Sequence, residues 1–298
     1  EYIENGRHYF DIVITGSTWC EEVLRNHGLK YTTTVIQGID PQIFNPFYSE
    51  KEIFKESFLV FSGGKFEIRK GQDIVIRAYK VLQDRHKDVM LVNSWFNIWG
   101  ESMRTMSASP YIKFDITSQD YATTISRILV DNGIDVTRVI TCLPRPNALM
   151  AKIYKNTDIG IFPNRCEGGT NLVLMEYMAC GKPVIASYSS GHRDVINKNN
   201  SILIENMKPI NINRNGNRIA VWDDPDLEET IEHLEWAYQH RDELRSYGLQ
   251  AGDDLKTLTW KRSAEKFVEI IEEHTVNLEE REQTHPTKKT EKEFVAGC

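Results

Sequence analysis

From about residue 58 the chain alternates short apolar runs with longer amphipathic stretches. Phe58-Leu59-Val60-Phe61 is a continuous apolar run that ends in Ser62-Gly63-Gly64, and Ile74, Val75, Ala78, Val81 and Leu82 then recur at helical spacing after Gly71. The pattern predicts a buried strand followed by a helix. It continues with strands at Val89-Met90-Leu91-Val92, Arg138-Val139-Ile140-Thr141, Asp158-Ile159-Gly160-Ile161-Phe162 and Pro183-Val184-Ile185-Ala186-Ser187. Helices are expected near 118–131, 147–155 and 170–180, the last stopped by Gly181, with 94–112 irregular. Short strands alternating with helices imply βαβ units and a parallel, doubly wound sheet with helices on both faces.

The flanks read differently. Residues 11–15 and 33–36 are short apolar or β-branched runs, and Ser17 or Thr18 is placed to cap a helix that Gly28 stops. The stretch Gly38 to Pro46 is rich in Gly and Pro and reads as a linker. After residue 200 the strand pattern fades. Asp224-Pro225 is the expected start of a helix carrying Leu227, Ile231, Leu234 and Tyr238. A last amphipathic helix carries Trp260, Ala264, Phe267, Val268 and Ile271, and the polar stretch 275–298 is expected to be a disordered tail.

Composition narrows the function. Lys plus Arg number 36 against 43 Asp plus Glu, a formal net charge of −7, which argues against a protein built to neutralise nucleic-acid phosphates. No apolar run approaches the ~18 residues of a membrane-spanning helix. Five cysteines, widely spaced and without a CxxC pair, disfavour a zinc ribbon or a disulfide framework and point to a reducing, cytoplasmic setting.

The segment Phe162 to Gly181 holds the most chemistry. It joins the carboxyl end of a strand to a helix, the edge where open α/β sheets bind ligands. Gly168-Gly169 permit close backbone approach, and the following helix start offers free N–H groups to an anion. Glu167 and Glu176 flank this turn; taken alone, Glu176 is more simply a solvated helix position, yet it would need a partner if buried. A second glycine-rich turn, Ser62 to Gly71, brings Lys65, Arg69 and Lys70 before a helix. That suits a phosphate, although an ordinary basic surface turn would look similar, and it is not a P-loop. Asp224-Pro225-Asp226 has the spacing of a metal-binding D-x-D, but a helix cap explains it better. His192 reads as a polar loop histidine and Cys166 as a packing residue. No metal site is expected.

Together these segments resemble the carboxyl-terminal domain of retaining GT-B-fold glycosyltransferases of the group 1 type. The resemblance spans about residues 11–274. It is most specific at Glu167, Gly168-Gly169, Glu176 and Ala179-Cys180-Gly181-Lys182-Pro183-Val184-Ile185-Ala186. Gly168 to Met175 separate the two acids, one residue more than usual, as in an "EGGTN" variant. The resemblance implies that Glu167 contacts donor-sugar hydroxyls near the reacting carbon and that Glu176 holds the ribose. It implies backbone donors at Gly168, Gly169, Thr170 and Asn171 for the sugar and diphosphate. Lys70, within Arg69-Lys70-Gly71, matches the lysine on the diphosphate, with Lys65 the nearest candidate for its partner cation. Cys142-Leu143 matches the place where backbone groups meet the base.

By the same resemblance, residues 1–45 are a remnant of an amino-terminal domain plus linker, and 46–274 a Rossmann-like nucleotide-sugar-binding domain. The expected activity is sugar transfer with retention from a nucleotide-sugar donor to an acceptor, without a metal or further cofactor. The acceptor side belongs to an absent amino-terminal domain, and any peripheral membrane contact would run through that domain. A non-catalytic nucleotide-sugar-binding module and a sugar-nucleotide epimerase are the competing readings.

Overall fold

Six parallel strands form the central sheet, in the order β5-β4-β3-β6-β7-β8. They are β3 (Phe58–Gly64), β4 (Val89–Trp95), β5 (Val139–Thr141), β6 (Ile159–Phe162), β7 (Val184–Ser187) and β8 (Ile202–Ile204). The computed structural model describes residues 9–47, 49–116 and 120–284, with Ile3 and Gly6, and the side chains up to 275.

The apolar runs are continuous because both faces of the sheet are covered. Successive side chains of a strand point to opposite faces. Phe58 and Val60 therefore join one core, with Leu91, Ile159 and Ile185. Leu59 and Phe61 join the other, with Val92, Phe162, Val184 and Ala186. The first core is covered by α2 (Gln72–Arg85), α3 (Tyr121–Asp131) and α6 (Leu227–Gln239). The second is covered chiefly by α4 (Met150–Lys155) and α5 (Leu172–Ala179), with Ala251 and Leu255 of α7 (Arg241–Leu255). The expected doubly wound architecture is thus the observed one.

A smaller unit precedes the sheet. β1 (Val13–Thr15) and β2 (Thr32–Thr34) pair in parallel around α1 (Thr18–Asn26). Ser17 caps α1 by accepting from the Cys20 N–H at 3.1 Å. The chain then crosses to the start of α8 (Trp260–Thr284), where the Ile39 N–H donates to Leu258 O at 3.0 Å and Ser263 Oγ to Ile36 O at 2.7 Å.

Three expectations are corrected. The sheet continues after residue 200: β8 is its edge strand, and β9 (Met207–Arg214) and β10 (Asn217–Pro225) form an antiparallel hairpin. The hairpin is largely exposed, so it lacks an apolar stripe, but Asn215-Gly216 is its turn, with φ of 51° and 78°. An Asn-Gly pair with both residues left-handed is a strong local hairpin signal.

Asp224-Pro225 accordingly ends a strand, and α6 starts at Leu227, capped by Asp226, which accepts from the Glu229 N–H at 3.0 Å. The proline is the last residue of a two-stranded hairpin's strand, where a missing N–H costs little.

The last helix runs on to Thr284, past the boundary at 274, in a segment rich in Glu, Arg and Gln, which favour helix. Residues 285–298, the rest of the expected tail, lie outside the described residues. Within the irregular stretch, β4 reaches Trp95 and residues 100–108 wind as a 3-10 helix that buries Met103 and Met106.

Candidate functional site

The strand order reverses beside β3. From β3 the chain builds outward through β4 and β5, then returns to place β6 on the other side of β3. The connections leaving β3 and β6 therefore diverge and leave a crevice at their carboxyl ends, the usual ligand position in such sheets. The turn after β3 carries Arg69 and Lys70, and the turn after β6 carries Glu167.

These turns are locked together. Gly71 adopts φ 73°, and a Cβ there would lie 2.0 Å from Pro163 O, so only glycine fits the contact. Lys70 Nζ donates to Glu167 Oε1 at 2.5 Å, and Arg69 donates to Glu167 Oε2 at 3.0 Å. Arg69 also holds Glu67 Oε1 at 2.6 Å and the Cys166 carbonyl at 2.8 Å. Asn164 Nδ2 donates to Glu167 Oε1. Burial on its own would push the Glu167 carboxyl up. The positive charges of Lys70 and Arg69 outweigh burial and hold it down to about 2.

Beneath this cluster lies Arg165, only 2% exposed. It donates bidentately to Asp73 at 2.8 and 2.9 Å, to Asp224 Oδ1 at 2.6 Å and to the Ile68 carbonyl at 2.6 Å. One buried guanidinium thereby joins the β3 turn, the start of α2 and the end of β10 to the Glu167 loop. This also gives Asp224 its role, as a partner of Arg165 rather than a helix cap.

The glycine turn is equally enclosed. Ser17 Oγ donates to Gly168 O at 2.8 Å, and the Glu167 N–H donates to Ser190 Oγ at 2.8 Å. Thr170 Oγ1 donates to Met175 Sδ at 2.9 Å. Asn171 is left-handed at φ 65° and its side chain does not cap α5, so the first-turn N–H groups have no side-chain acceptor there. Its Nδ2 instead lies 3.2 Å from His192 Nε2, while His192 Nδ1 lies 3.1 Å from Ser187 O.

Asn171 can only donate from Nδ2, and Ser187 O can only accept. The network therefore assigns a neutral ring protonated at Nδ1. Burial pushes the His192 pKa down to about 4 despite the nearby Glu167 charge. His192 is thus a fully buried part of the loop support, not a polar loop residue.

Glu176 is buried at 8% exposure, which corrects the solvated reading. Asn147 Nδ2 and Tyr154 OH donate to its two oxygens at 2.9 and 3.1 Å. Burial raises its pKa. Lys65 makes no ion pair with Glu167 among the described residues. Its ammonium lies over the Trp99 ring at 5.3 Å, and the second cation on Glu167 is Arg69. Leu143 is exposed at the end of β5, next to buried Cys142. Burial pushes the Cys166 thiol up to about 11, consistent with packing rather than nucleophilic use.

Sequence reasoning missed Arg165, Asn164, Ser190, Asn147 and Ser17 as site supports. Arg165, Ser190, Asn147 and Ser17 act across distant turns, which no spacing marks, whereas Asn164 bonds Glu167 within the same loop. Among the described residues, no group of three or more His, Cys, Asp or Glu is arranged to hold a metal ion, and no helix is long and apolar enough to cross a membrane.

Comparison with known proteins gives the family and the fold. The family described as "Glycosyl transferases group 1" matches residues 56–215. D-inositol 3-phosphate glycosyltransferase of Paenarthrobacter aurescens is 23% identical over 248 residues, covering 81% of this chain and 51% of that protein. Sucrose-phosphate synthase from Thermosynechococcus elongatus superposes with a TM-score of 0.66 at 19% identity, covering 89% of this chain and 59% of that one. Anabaena HepE, solved in complex with UDP-glucose, gives a TM-score of 0.66 at 16% identity, covering 90% of this chain and 66% of that one. The chain thus spans about half the length of the curated relative it matches.

Proposed function

Because this chain belongs to the glycosyl transferases group 1 family, we propose that it supplies the donor-binding half of a retaining glycosyltransferase that uses a nucleotide sugar. One observation carries the reading. Glu167 is kept ionised by Lys70 and Arg69 at the crevice where the strand order reverses.

The two cations and the first turn of α5 are suited to the diphosphate. When the bond between the anomeric carbon and the diphosphate oxygen breaks, its electron pair stays on that oxygen. Fixed cations and helix N–H groups stabilise the charge as it forms. A carboxyl with a pKa of about 2 is a weak proton acceptor at neutral pH. Glu167 therefore serves as a hydrogen-bond acceptor for donor-sugar hydroxyls and as an electrostatic element, rather than as a general base. Glu176, with two donors already fixing its oxygens, is aimed at ribose hydroxyls. Gly168, Gly169, Thr170 and Asn171 line the path between the two acids. Leu143 marks the end of β5, where backbone groups would meet the base.

The acceptor would be held by a second domain across the crevice. This is supported by the chain's covering 51% of its curated relative and by the exposed Trp260 and Phe267 on α8. Calorimetric titration with UDP, ADP and GDP, then with their glucose and mannose conjugates, tests the donor reading. Binding of at least one, weakened by Lys70→Ala, is expected. No binding across that panel overturns it.

A further inference from the structure

The opposite edge of the sheet holds a separate cavity of about 430 Å³. It lies where the chain enters β3, β6 and β7. The residues of β3 rise ~3.3 Å each, which puts this edge about 20 Å from the Glu167 edge. Six of its lining side chains are cationic: Lys51, Lys55, Lys155, Lys182, Arg241 and Arg245. The carboxylate in the lining is Asp158. In a chain of net charge −7, that concentration of positive charge is a local arrangement and not a consequence of composition.

Only some of these charges are answered. Lys51 takes Asp158 at 2.6 Å, and Arg241 is held by Asp88 at 2.8 Å and stacked on Tyr238. Lys155 donates to the neutral Asn45 Oδ1 at 3.0 Å. Lys55 reaches Glu50 at 3.9 Å, with both side chains largely exposed. Lys182 and Arg245 make no hydrogen bond or ion pair among the described residues. Burial holds the Lys182 ammonium below its usual range. Asp158 opposes this, and repulsion from Lys51 and Lys155 adds to it.

Local economy does not account for the cluster. Lys155 ends α4 and Lys182 follows the carboxyl end of α5, where a cation favours the helix dipole. Arg241 and Arg245 occupy the first turns of α7, where the dipole disfavours a cation. Helix ends of both senses thus present positive charge to one cavity, whose volume is that of a small-ligand site.

We propose that this cavity is an anion site for a phosphate-bearing ligand, with Lys182 and Arg245 as its principal contacts and Lys155 and Lys55 around them. Charge-assisted hydrogen bonds to phosphate oxygens would answer the unpaired cations and relieve their mutual repulsion. Exposed Phe47 and Leu249 at the rim suit a lipid headgroup as well as a free phosphate ester.

Inorganic tripolyphosphate is the first probe, titrated into the chain and into Lys182→Gln and Arg245→Glu variants. Lys70→Ala runs in parallel, so that binding at the Glu167 edge is read separately. Each cavity variant should weaken one class of site roughly tenfold or more, with Lys70→Ala sparing that class. Arg245 is exposed, so its variant keeps the test valid if Lys182→Gln disturbs folding. Phosphatidylcholine vesicles with and without phosphatidylglycerol distinguish the sources. Sedimentation that needs the anionic lipid and is lost in Arg245→Glu identifies a headgroup, whereas tripolyphosphate binding without vesicle binding identifies a soluble ligand. Tripolyphosphate affinity unchanged by Arg245→Glu, or binding of neither probe, overturns the proposal.

Discussion

The Lys70 ammonium lies 2.5 Å from a Glu167 carboxylate oxygen, although 97 positions separate the two residues. Parallel strands β3 and β6 lie side by side, so the turns that leave them end at the same height. The pair is therefore a product of strand order, and it fixes the sign and strength of the charge in the crevice.

That coupling gives a pH dependence in two windows. His192 is neutral in the fold, with its pKa lowered from 6.5 to about 4. Between those values the unfolded chain binds the extra proton, so stability should fall as pH drops from 6.5 through 4. Glu167 is lowered from 4.5 to about 2, so its contribution is present above pH 4.5 and is lost as pH falls towards 2. Its full size is about 3 kcal/mol. Urea unfolding followed from pH 7 to acid should show a shallower loss in Glu167→Gln below pH 4.5. A slope equal to that of the unmodified chain would contradict the assignment.

Arg165 should be the most sensitive position for stability. Arg165→Met leaves Asp73 buried without its partner, and breaking a buried pair costs about 3–5 kcal/mol. Arg165→Lys should recover only part of this, because an ammonium cannot match the two-pronged contact with Asp73. Denaturant midpoints of the two variants check the order. A lysine variant as stable as the parent would show that the fork geometry is unimportant.

Glu176 separates a binding role from a structural one. Glu176→Gln keeps an oxygen for Asn147 or Tyr154 and should leave the melting temperature nearly unchanged. A carboxylate accepting from ribose hydroxyls contributes about 1.5–3 kcal/mol, so nucleotide affinity should fall roughly tenfold or more. Equal affinity for both proteins in calorimetric titration would assign Glu176 to packing alone.

Gly191 tests how tightly the glycine turn is held. A Cβ at this position would lie 1.8 Å from Gly169 O, a backbone atom that cannot move aside without shifting the loop. Gly191→Ala should displace residues 167–169 and weaken nucleotide binding, while the sheet, with its two cores, stays folded. Amide chemical shifts of Gly168 and Gly169 report the displacement. Unmoved resonances with unchanged binding would refute it.

The period of the apolar residues determined the sheet. Phe58 to Phe61 and Ile159 to Phe162 are apolar throughout because both faces of a central parallel strand are buried, and that local constraint is written in the chain. Gly71 likewise announced a turn, since its left-handed backbone and close approach to Pro163 exclude most side chains.

The hairpin 207–225 escaped the apolar pattern because it buries little, although its Asn215-Gly216 turn was legible. Other features depended on which strands became neighbours. The strand order placed Arg69 beside Lys70 on Glu167, while Lys65 lies over Trp99. Arg165 could not be singled out from spacing, because its partners Asp73 and Asp224 come from opposite sides of it in sequence. The burial that makes His192 neutral and Glu176 dry arises only when distant elements close over them. Hydrophobic periodicity is a property of adjacent residues, whereas charge pairing and desolvation are properties of distance in space.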